Sequence, residues 1–99
     1  MYFITVERVG AENKIENSKV VGYVSDKDEA ERMIKENTDN IFDGGSYQYG
    51  IICKVDTGIY PSVEEKDWYK YEIQDEHWIR IEKCDTPEGL EDYEPYIMG

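Results

Sequence analysis

The chain has 99 residues, 23 of them acidic and 11 basic, for a net charge of −12. That length supplies one domain, and the overall field would repel a phosphate backbone, which argues against unaided nucleic-acid binding. Aromatic residues make up 13% of the chain, nine of them tyrosine, and disordered segments are poor in such side chains, so the composition is that of a folded protein.

A domain of this size buries roughly two-thirds of the surface its unfolded form exposes, enough for one core and little besides. The longest apolar stretches, such as Val20 to Val24, fall far short of the roughly 18 residues that cross a bilayer. The opening "MYFITVERVG" lacks the basic and apolar regions of a secretory signal. Cys53 and Cys84 form neither a disulfide framework nor a zinc spacing. Both are expected to be reduced thiols in a cytoplasm.

In chain order, "YFITVERV" (Tyr2 to Val9) alternates Tyr2, Ile4 and Val6 with Phe3, Thr5 and Glu7, the pattern of a strand with one well-buried face. A polar connection, "GAENKIENS", follows, and the β-branched run Lys19 to Val24 predicts a second, antiparallel strand. Ser25 is placed to cap a helix, with Asp28 three residues on completing a capping box. Ala30, Met33 and Ile34 then form a narrow apolar stripe. Asn37 to Gly45 is rich in turn formers. "YQYGIICKV" (Tyr47 to Val55) predicts a third strand, with Tyr47, Tyr49, Ile51, Cys53 and Val55 sharing one face. "DTGIYPSVEEKD" reads as a loop, and "WYKYEIQDEHWIRIEKC" (Trp68 to Cys84) as a hairpin turning at Gln74 to His77. In that hairpin Tyr69, Tyr71, Ile73, Ile79 and Ile81 fall on a core face, and Trp68 and Trp78 fall opposite them among charges. The remainder, residues 85–99, is an acidic tail. The expected fold is a single α+β domain over residues 1–99, with order β-β-α-β-β-β and one helix covering one face of an antiparallel sheet.

Catalytic constellations are scarce. His77 is the only histidine, and about seven residues of strand, at about 3.4 Å each, hold it roughly 20 Å from Cys84. It reads as a turn residue, and the cysteines as small apolar side chains. Asp26 and Asp28 begin a calcium-loop spacing, but Ala30 takes the next ligand position and no glycine follows. No phosphate-binding loop, zinc-protease or serine-hydrolase motif occurs. The expectation is a protein that is not an enzyme and needs no cofactor or metal.

The acids carry more information. Spread evenly over a body about 35 Å across, twelve charges are sparser than on DNA, where they would occupy roughly 20 Å of duplex. Only clustering would make them a partner surface. Glu64, Glu65 and Asp67 precede the hairpin, and Asp85, Glu88, Glu91, Asp92 and Glu94 form a run without a base. Either is at home on a solvated face or in an interface with a basic partner. Trp68, Trp78 and Tyr93 are of the kinds that dominate protein–protein hot spots; the competing arrangement folds the tail over the tryptophan face through Leu90, Tyr93 and Tyr96.

"GYVSDKDEAERMIKEN", "YQYGIICKVDTGIYPS" and "WYKY" together resemble small uncharacterised proteins encoded by phages and prophages of gut Firmicutes, over roughly Val20 to Tyr71. The shared features are structural, so no functional residue carries over. The resemblance implies a mobile-element accessory protein in a bacterial cytoplasm, of the kind that blocks host factors, anti-CRISPR and other anti-defence inhibitors among them. The expected function is therefore inhibition of a basic, nucleic-acid-handling host protein through Glu64, Glu65, Asp67, Trp68, Trp78, Asp85, Glu88, Glu91, Asp92, Tyr93 and Glu94. The alternative is an assembly module that dimerises through its sheet edge or its tryptophan face.

Overall fold

Alternation in "YFITVERV" places Ile4 and Val6 on one side of a strand and Thr5 and Glu7 on the other, and all four are buried. A strand buried on both sides belongs in the interior of a sheet with two covered faces. In a computed structural model, which describes residues 1–56, 62–74, 78–93 and 95, that is the arrangement. The elements are β1 (Tyr2–Val9), β2 (Ile15–Val24), α1 (Lys27–Lys35), β3 (Tyr49–Asp56), β4 (Ser62–Gln74) and β5 (Trp78–Cys84). The five strands form one antiparallel sheet in the order β2-β1-β3-β4-β5. The expected α+β fold and its element order are those of the protein.

Helix α1 starts one residue later than its sequence suggests. Asp26, not Ser25, is the cap, its Oδ1 accepting the Asp28 N–H at 3.3 Å. Asp28 and Glu29 in the first turn and Arg32 and Lys35 in the last complement the helix dipole. Ala30 and Ile34 are fully buried against Ile4, Val6, Ile52, Tyr69 and Tyr71. The loop after α1 uses left-handed backbone at Asn37, Asp39, Asn40 and Asp43, residue types that tolerate it. Asn37 Oδ1 accepts the Phe42 N–H at 3.1 Å, which seats the buried Phe42 ring on Tyr71 with centroids 5.0 Å apart.

Gly50 lies where this layer is tightest: a Cβ there would stand 2.5 Å from Ile34 Cδ1 and 2.8 Å from Phe42 Cζ. Gly50→Ala should therefore cost about 1–3 kcal/mol of stability by overpacking, measurable by urea unfolding.

Four expectations need correction. Strand β2 begins at Ile15 and β4 at Ser62, so the polar runs read as connections are partly strand. Both lengthen existing ladders, whose cross-strand hydrogen bonds are indifferent to side-chain polarity. Tyr47 precedes β3 and joins the helix-side core, while Tyr49, Ile51, Cys53 and Val55 line the other face. Ile73 and Ile79 are not core residues: the β4–β5 hairpin outruns the helix, leaving them 56% and 54% exposed. The turn between these strands, His77 included, lies outside the described residues.

Candidate functional site: the acidic C-terminal strap

The face of the sheet away from α1 carries Phe3, Val9, Tyr49, Ile51, Cys53 and Trp68. Trp68 stands opposite Ile51 on one side and Cys84 on the other, its ring edge-on to Tyr49 at 5.8 Å. Left open, such a face would be a large apolar patch on a small protein. The chain after β5 turns back across it. Gly89, at φ +87°, permits the turn, and the Leu90 and Tyr93 N–H groups donate to Pro87 O and Leu90 O at 3.0 Å each. Leu90 is buried in the second core, and the Tyr93 ring lies 6.2 Å from that of Trp68.

Three polar ties hold this strap. Lys66 Nζ donates to Tyr93 O at 2.5 Å and Asn13 Nδ2 to Glu88 O at 2.8 Å. The third reaches inward. Tyr93 Oη donates to Glu7 Oε2 at 2.9 Å, and Ser18 Oγ donates to Glu7 Oε1 at 2.8 Å. Glu7 has no exposed surface, so a carboxyl group sits inside the protein with hydroxyl donors from Ser18 and Tyr93 and, among the described residues, no ion-pair partner. Burial pushes its pKa above the ordinary 4.5, opposed in part by the Ser18 and Tyr93 hydrogen bonds. Burial likewise pushes the Tyr93 hydroxyl up to about 12, so it stays a donor at neutral pH. The sequence suggests one well-buried face for this strand, with Glu7 opposite it; Glu7 is buried because the strap covers the second face as well, and its partner Tyr93 lies 86 residues away.

An acid whose pKa is raised on folding is protonated more readily in the native state than in the unfolded one. Glu7 therefore costs stability as pH rises from 4.5 through its native pKa, and the cost is complete above that value. Glu7→Gln keeps a hydrogen-bonding group and loses the charge. Its stability relative to the natural protein should be more favourable at pH 7 than at pH 4, by paired chemical denaturation; an unchanged difference would contradict a buried charged Glu7.

The residues singled out from the sequence divide between the two faces. Asp85, Glu88, Glu91 and Asp92 are exposed, displayed around the two buried anchors of the strap. Trp68 is only 1% exposed, so it is no surface anchor: the tail covers it through Leu90 and Tyr93, and Tyr96 lies outside the described residues. Tyr93 is half-buried and turned inward. Asp67 sits on the helix side of the sheet, where Lys27 at 3.2 Å and Lys83 at 3.3 Å neutralise it. Glu65, two residues before it and opposite Lys54, shares that side. Glu64 is exposed beside Lys54 at 3.6 Å. The two acidic segments thus do not meet in one patch, because strand alternation turns Glu65 and Asp67 away from the strap. Trp78 occupies the first position of β5, opposite Gln74, and its side chain and Glu94 fall outside the described residues.

Among the described residues no three His, Cys, Asp or Glu side chains are grouped to hold a metal ion, and no helix is long and apolar enough to cross a membrane. Burial raises the Cys84 pKa above its ordinary 9.0, which keeps it a thiol. Comparison with known protein families, characterised proteins and solved structures found no match.

Proposed function

We propose that this is a non-enzymatic binding protein that captures and inhibits a basic, nucleic-acid-handling protein of a bacterial host, using the acids of its C-terminal strap. The observation that carries the reading is the alternation of buried and exposed residues over Glu88–Tyr93. Leu90 and Tyr93 are fixed to the sheet while Glu88, Glu91 and Asp92 face solvent. Residues 85–95 include no base, so no neighbour in the segment neutralises them. Acids mounted on a fixed backbone forfeit less freedom on binding than the same acids on a loose tail. Their field adds to that of a chain at −12, which speeds encounter with a positive surface. The phage-protein resemblance supplies the anti-defence context, and the lack of a catalytic constellation leaves binding as the means.

The test is charge reversal. The chain, immobilised, is exposed to nuclease-treated bacterial lysate at about 0.15 M salt, where screening length is about 8 Å, and captured proteins are identified by mass spectrometry. Basic nucleic-acid-binding proteins should be retained, and E88K/E91K/D92K should lose them by at least tenfold. Its circular dichroism should match the natural protein, since all three side chains are exposed. Undiminished capture by the variant would refute the role of the strap.

A further inference from the structure

The two outer strands of the sheet are β2 and β5, and they differ. The β1–β2 ladder has two register shifts and β2 exposes Lys19, features that blunt an edge against pairing with another chain. The β4–β5 ladder runs from Trp68↔Cys84 to Gln74↔Trp78 with no shift. Strand β5 has no proline, and no other backbone hydrogen bond from the described residues reaches it. Its outward row of N–H and C=O groups is a regular template for one more strand.

The side chains of β5 state which strand would fit. Arg80 and Glu82 flank Ile81, are 55% and 51% exposed, and pair with each other in the single chain. If a second β5 runs antiparallel about a two-fold axis at Ile81, Arg80 comes opposite the partner's Glu82, and Glu82 opposite the partner's Arg80. The neighbouring axes are unfavourable: centring on Arg80 sets two guanidinium groups face to face, and centring on Glu82 two carboxylates. Charge thus selects one register. In that register Ile81 meets its own copy. The exposed Ile79 lies opposite the partner's Lys83, whose aliphatic stem can cover it. A self-complementary patch is what a two-fold interface requires.

We infer that two copies of this chain associate edge to edge along β5, joining two five-stranded sheets into one of ten. The inference is independent of the strap acids and of their partner. An edge of seven residues gives an interface at the small end of the known range, so the dimer is an equilibrium species.

Sedimentation velocity on the full chain, from about 1 µM to about 1 mM at about 0.15 M salt, reads it directly. The mass should rise from 11.6 kDa toward twice that value. R80E and E82R should each weaken association at least tenfold with unchanged circular dichroism. An equimolar mixture of the two should associate again as a heterodimer, and R80E/E82R, which restores opposite charges, should dimerise by itself. A natural chain that stays monomeric throughout, a dimer indifferent to R80E, or single variants that do not recombine would each overturn the proposal.

Discussion

Trp68→Ala should lower the free energy of unfolding by about 3–5 kcal/mol, a large fraction of the total of about 5–15 kcal/mol expected for a domain. The indole is 1% exposed and is the largest side chain in the second core. It holds that core together: Ile51 and Cys84 flank it in the sheet, Tyr49 meets its edge, and the strap closes over it. Removal leaves a cavity whose floor is a rigid sheet and whose roof is the strap, so collapse would shift the strap. Trp68→Phe should cost far less. Its Nε1 is buried without a hydrogen-bond partner among the described residues, and deleting an unsatisfied donor recovers part of a penalty of about 1–3 kcal/mol. Urea unfolding followed by circular dichroism measures both. A loss below about 1 kcal/mol for the alanine variant would mean that Trp68 is not covered.

Tyr93→Ala should cost about 2–4 kcal/mol, the lower part of the range for losing an aromatic ring because Tyr93 is only partly buried. Two losses combine. The ring leaves Trp68, and the hydroxyl leaves Glu7, whose buried carboxyl loses one of its hydroxyl donors and keeps Ser18. Tyr93→Phe separates them: it retains the ring and should cost about 1–2 kcal/mol, the worth of one hydrogen bond to a charged group. The alanine variant should also be cut by protease between Cys84 and Tyr93 sooner than the natural chain. Equal cleavage would show that Tyr93 does not fasten the strap.

How much of this was legible in the sequence depends on the range of the interaction. Strand β1, helix α1 and the β4–β5 hairpin follow from local periodicity, with α1 starting one residue late and β4 reaching back to Ser62. The early residues of β2 and β4 did not announce themselves. "IENS" and "SVEEKD" are polar, and they are strands because β1 and β3 offer them ladder partners. Trp68 stood out as an apolar residue on a charged face, which was a correct sign that something must meet it. What meets it is a segment of turns with no periodicity: Leu90 and Tyr93 were nameable from the sequence as one of two arrangements, and the fold, which brings Glu7 and Trp68 together beneath them, decides for that one. The isoleucines Ile73 and Ile79 kept the alternation and still escaped the core, since periodicity gives the face of a strand and not how far the covering helix extends.

The placement of the strap acids shows most directly in the contact of Tyr93 with Trp68, which NMR reads without any partner. Nuclear Overhauser effects between the Tyr93 ring and the Trp68 indole protons, with dispersed shifts over residues 88–93, are the expected result. Random-coil shifts over that segment and no Overhauser effect to Trp68 would detach the acids from the sheet and contradict the account.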